Sequence, residues 1–115
     1  MLGTNVQEIM SQEELETHVA ENDAIVVCAG RMGPMCIPVY GAMEQMEKEE
    51  QFGNVKFMTV DFDTAAAIAI INADKCHGFM GLPFTVYYKN GQMVHATSSL
   101  QSRTQLEESI SGHLV

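Results

Sequence analysis

"GLPFTVYYKNGQMV", residues 81–94, decides the fold. Asn90-Gly91 joins two runs rich in apolar and aromatic residues. That dipeptide supplies the two positive φ angles that a type I′ turn needs, so residues 84–97 read as an antiparallel hairpin. Working outward, "SRTQLEESISGHL" (102–114) is a closing helix, opened by a capping box of Ser102 and Gln105. In the other direction, "VKFMTVDFD" (55–63) is a strand, and Asp63 is placed to cap a helix over "TAAAIAIINADKCH" (64–77) that Gly78 ends.

The N-terminal half continues the alternation. "AIVVCA" (24–29) is continuous and β-branched, as a buried central strand is. A helix is expected over 39–51, with Val39, Ala42, Met43 and Met46 on one stripe. Before the central strand, Ser11 and Glu14 form a second capping box, with Leu15 and Val19 on one helical face. Thr4–Met10 is the candidate first strand. Strands linked through helices imply a parallel portion, and the hairpin adds an antiparallel edge.

The 115 residues make one domain, 1–115, able to bury roughly 65–70% of its unfolded surface without staples. Apolar residues are 46% of the chain, which argues for an ordered globule. The formal charge of −9 repels phosphate backbones, so nucleic acid is not an expected partner. No apolar run approaches the roughly 18 residues of a membrane span, and "MLGTNVQEIM" lacks the pattern of a secretory signal. Three cysteines do not make a secreted disulfide scaffold, which points to the cytoplasm. A monomer is expected, with no cofactor and no metal.

The order of elements, with Gly81-Leu82-Pro83-Phe84, Val86-Tyr87-Tyr88 and Lys89-Asn90-Gly91, resembles the thioredoxin family over nearly the whole chain. "VDFD" (60–63) and "MEQMEKE" (43–49) add to the likeness. The resemblance implies an α/β thioredoxin fold, a central mixed β-sheet with helices on both faces. It also implies a cis Leu82-Pro83 bond, whose loop leaves the Leu82 backbone free to pair with an extended peptide.

The chain departs from the family at the redox motif, Trp-Cys-Gly-Pro-Cys. Aligned on Gly33-Pro34, Met32 and Met35 stand where the two cysteines belong. A thioether has no proton to lose and cannot be the thiolate that attacks a disulfide. Cys36 follows one residue later, three before Val39, and extends the inner stripe of the helix. Pro38 favours a helix that starts near Ile37, with Cys36 close to the N-cap. A thiol there faces the positive end of the helix dipole, which favours negative charge. Burial opposes that, and the Met32 and Met35 side chains are long enough to cover it.

The candidate catalytic thiols are therefore Cys36 and, at the end of the central strand, Cys28, which could approach bonding distance if its side chain points inward. Cys76 reads as a solitary thiol. The candidate partner-binding residues are Met32, Gly33, Pro34, Met35, Leu82 and Pro83. Phe84 replaces the family's threonine after the proline and adds apolar bulk. Two readings compete: a divergent member that binds protein or peptide partners without dithiol exchange, and a thiol-disulfide oxidoreductase that works through Cys36, alone or with Cys28. A third is Cu(I) binding by Met32, Met35, Met80, His77 and Cys36. The first is preferred, because Met flanks Gly-Pro on both sides. His18, His95 and His113 show no partner pattern.

Overall fold

A computed structural model describes residues 2–115. Five strands form one sheet: β1 (Gln7–Ile9), β2 (Ala24–Gly30), β3 (Lys56–Asp61), β4 (Phe84–Lys89) and β5 (Gln92–Ser98). Their order is β1-β3-β2-β4-β5. β1 and β2 both run parallel to β3, while β4 is antiparallel to β2 and to β5. The ends of β1, β2, β3 and β5 and the start of β4 therefore lie at one edge of the molecule. β2 is central and buried along its whole length, as its unbroken apolar run requires. Asn90 and Gly91 take φ of 52° and 85°, and the hairpin forms as its turn chemistry dictates.

The helices α1 (Gln12–Glu21), α2 (Ile37–Met46), α3 (Ile68–Ile71) and α4 (Arg103–His113) cover both faces. Val39, Tyr40, Met43 and Met46 of α2 and Leu106 and Ile110 of α4 pack with Cys28, Val26 and Tyr87 on one face. Leu15 of α1 and Ala66, Ala67 and Ile70 pack with Ile25, Val27 and Met58 on the other. Ser102 and Gln105 make both bonds of their capping box. At α1 the Ser11 hydroxyl accepts from the Glu14 N–H at 3.1 Å.

Several boundaries differ from the sequence expectation. The first strand is only Gln7–Ile9, because only those three residues find partners on β3. The second helix begins at Ile37 and ends at Met46, with a separate 3₁₀ turn at Glu50–Phe52. Cys36 is its N-cap, and Pro38 sits in its first turn, where a missing N–H costs no helical bond. The long third helix does not form. The segment is instead a 3₁₀ turn (Ala65–Ala67), the four-residue α3, and a second 3₁₀ turn (Asp74–Cys76). Asn72 closes the helical turn and Ala73 is extended, with ψ 143°. Asparagine competes for backbone hydrogen bonds, so it ends a helix more readily than it continues one. The break turns Cys76 inward, to 3% exposure. Asp63 caps nothing there; its carboxylate is held by Arg31 instead.

Candidate functional site

The candidate site is built where β2 ends. Leaving β2 at Gly30, the chain makes the turn 31–36 and enters α2. The Gly33 carbonyl accepts from the N–H groups of both Cys36 and Ile37, each at 3.1 Å, so the turn runs directly into the helix. This brings Cys36 back against the strand it left. The Arg31 N–H donates to the Cys36 Sγ at 3.4 Å. The Tyr40 hydroxyl donates to the Arg31 carbonyl at 3.0 Å.

Gly30 is the point on which these groups converge. A Cβ there would stand 2.5 Å from the Tyr40 hydroxyl, 2.9 Å from the Cys36 Sγ and 3.1 Å from the Pro83 Cβ. Only glycine allows so close an approach of backbone to three side chains. Cys36 is thus 2% exposed, enclosed by the end of β2, Tyr40 and the proline loop. The expected cover by Met32 and Met35 is not what encloses it. Those side chains are 63% and 42% exposed, because the 31–36 turn projects them away from the sheet, and the Met32 methyl lies toward Gly3.

The Leu82-Pro83 peptide bond is cis. The Gly81 carbonyl accepts from the Ser99 N–H at 3.0 Å, which ties this loop to the end of β5. Among the described residues, the backbone N–H and carbonyl of Leu82 have no hydrogen-bond partner. Gly33, Pro34, Leu82 and Pro83 are therefore brought to one end of the sheet with Met32, Met35 and Cys36.

Arg31 forms the rim. Its guanidinium makes two bonds to Asp63, at 2.8 and 2.7 Å, and lies 5.4 Å from the centre of the Phe62 ring. The hydrogen bond from Arg31 holds the Asp63 carboxyl below the usual carboxylate range. Beneath, Phe62 and Phe79 pack edge-on against Phe84, at 5.1 and 5.3 Å. Arg31, Tyr40 and Gly30 were not singled out by the sequence, and Asp63 was read only as a helix cap. The local string carries no signal for them, since each acts through a partner distant in the chain.

Cys28 lies on the same sheet face as Cys36 but is wholly buried, with the Thr85 hydroxyl donating to its sulfur at 3.9 Å. Burial pushes its thiol far up, so it stays protonated. Cys28, Cys36 and Cys76 are all free, and Cys28 and Cys36, which could have approached bonding distance, are not bonded. Disulfides demand a specific pairing of Cβ directions, which a strand interior and a helix start do not supply by proximity alone. Among the described residues, no group of three or more His, Cys, Asp or Glu side chains is placed to hold a metal ion. No helix is long and apolar enough to cross a membrane. His95 and His113, expected to lack partners, instead stack with ring centres 4.0 Å apart and planes 8° apart.

No family model matches the chain. A curated relative does: thioredoxin of Ictalurus punctatus is 33% identical over 81 residues, 70% of this chain and 69% of that protein. Solved thioredoxins share the fold. That of Fasciola hepatica superposes with a TM-score of 0.76 at 25% identity, over 93% of this chain and 98% of that one. That of Malassezia sympodialis gives 0.76 at 21% identity, over 100% and 96%. That of Plasmodium falciparum gives 0.75 at 19% identity, over 93% and 98%.

Proposed function

The chain belongs to the thioredoxin family, and from that premise we propose that it binds extended protein or peptide segments without exchanging disulfides. The observation that carries this is the sulfur inventory of the site. Met32 and Met35 flank Gly33-Pro34. The nearest thiol, Cys36, is 2% exposed. Dithiol exchange needs one thiolate that attacks and a second thiol that resolves the mixed disulfide. Cys28 is a poor second thiol, since burial keeps it protonated inside the sheet. What the site keeps is the docking half of a thioredoxin. The unpartnered Leu82 backbone offers one donor and one acceptor to an extended strand. The exposed Met32 and Met35 offer adaptable apolar contact. Three free buried thiols fit a reducing compartment such as the cytoplasm.

Two measurements test the proposal. Insulin reduction with dithiothreitol proceeds at the uncatalysed rate. Titration with insulin B chain, its thiols capped as carboxamidomethyl groups, shifts the amide resonances of Arg31–Cys36 and Gly81–Phe84. A titration that leaves both segments unmoved refutes docking.

The second reading, an oxidoreductase working through Cys36, draws on the Arg31 N–H that donates to its sulfur. Robust insulin turnover that vanishes in Cys36→Ser would establish it against the first.

A further inference from the structure

Three sulfurs that this chain exposes at the docking end are thioethers: Met32, Met35 and Met80, at 63%, 42% and 93%. Met10, 66% exposed, follows β1 and lies at the same end of the sheet. Met43, Met46 and Met58, by contrast, are wholly buried in the core. The thiol of Cys36, a few residues from Met32 and Met35, is enclosed. An oxidant that reaches this end of the molecule therefore meets thioethers before it meets a thiol.

We propose that Met32 and Met35 form a redox switch on the docking face, in which a peroxide converts their thioethers to sulfoxides and closes the face to apolar chains. This rests on the docking reading given above. In the reaction the peroxide O–O bond breaks and an S–O bond forms. One oxygen passes to the sulfur, which is oxidised by two electrons, and the peroxide is reduced to water or an alcohol. A sulfoxide is strongly polar where the thioether was apolar. An apolar segment laid over it leaves the new oxygen without a partner, and that is unfavourable for binding. The modification is chemically reversible, as a switch requires.

The positions support an effect on docking rather than incidental damage. Met32 and Met35 occupy the turn that leads into α2, and Cys36 of that turn meets Pro83 at Gly30. Met10 is exposed as well but lies outside this turn, just past the edge strand β1, and so serves as an internal comparator.

The test treats the full-length protein with hydrogen peroxide, then with dithiothreitol to restore any oxidised thiol, and maps sulfoxides by mass spectrometry. Binding of carboxamidomethylated insulin B chain is measured before and after. The expected result is conversion of Met32 and Met35 at least about tenfold faster than Met43, Met46 and Met58, with affinity weakened about tenfold. The before-to-after ratio falls to near one in Met32→Leu/Met35→Leu, and stays near ten in Met10→Leu. Binding unchanged at full conversion of Met32 and Met35 overturns the switch. So does sensitivity that disappears in Met10→Leu. An untreated protein that does not bind the B chain refutes the docking reading itself, a different failure.

Discussion

Gly30→Ala is the sharpest test of how the site is held. The added methyl would lie 2.5 Å from the Tyr40 hydroxyl, about 0.9 Å short of ordinary contact, and 2.9 Å from the Cys36 Sγ. Pro83 closes the third side at 3.1 Å, and a ring carbon cannot swing away. Tyr40 is itself buried in α2, so its ring has little room to retreat. A shift of that size breaks the 3.0 Å bond from its hydroxyl to the Arg31 carbonyl. Overpacking costs about 1–3 kcal/mol. The lost hydrogen bond adds about 1 kcal/mol. The substitution therefore destabilises by about 2–4 kcal/mol, against a total of about 5–15 for a domain of this kind. Urea unfolding at equal m-value reads it directly. Tyr40→Phe removes the hydroxyl and costs about 1 kcal/mol alone. In Gly30→Ala/Tyr40→Phe the worst collision is gone, so the double variant is more stable than the two single losses predict, by about 1 kcal/mol. A Gly30→Ala protein within about 0.5 kcal/mol of the parent, or a strictly additive cycle, would refute the convergence described for this site.

Other expectations follow from the same geometry. Iodoacetamide near pH 7.5 modifies Cys36 at least about tenfold more slowly than free cysteine, because the sulfur is enclosed; mass mapping that finds faster labelling returns the balance to an enzyme. Stability falls with pH below about 6.5, in part through His95. Burial first, then His113 of α4 and Lys75 of the preceding 3₁₀ turn, hold its imidazole below the ordinary value. Tyr87 of β4 faces it as well, at 5.3 Å. The folded state thus binds fewer protons than the unfolded one, and the stability contribution is complete only above the unfolded pKa. His95→Phe flattens the slope between pH 7 and 5 in urea midpoints, and an unchanged slope contradicts the assignment. Gly91→Ala costs about 1–2 kcal/mol, although nothing lies within 4 Å of the new methyl, because φ is 85°; a thermal or urea midpoint equal to the parent's would show that the turn relaxes.

The elements that read correctly from sequence are those whose physics is local. Asn90-Gly91 sets its turn from two residues, and Ala24–Gly30 announces burial on both faces through an unbroken apolar run. Ser102 and Gln105 satisfy each other across one helical turn. The segment 64–77 misled because helical periodicity in "AAAIAII" continues through Asn72, while the backbone does not. Ala66, Ala67, Ile70 and Cys76 all pack into one core cluster across a break in the rod, and periodicity carries no information about breaks. The stacked His95 and His113 were equally invisible, since β5 and α4 meet only in three dimensions.

The site divides along the same line. That Cys36 lies on the inner side of α2 follows from its spacing to Val39 and Met43, and that spacing is a property of the helix alone. What encloses the sulfur is not. Gly30 and Pro83 are far apart in the chain, and their approach depends on the antiparallel pairing of β2 with β4, which carries Ala29 opposite Phe84. Sequence reasoning assigned the cover to the nearest long side chains, Met32 and Met35, and so reversed the roles. Met32 and Met35 turned outward and became the surface, while Gly30, Tyr40 and the remote Pro83 became the enclosure. That inversion separates the two sulfur chemistries in space. The thiol is enclosed, and the thioethers stand exposed to solvent.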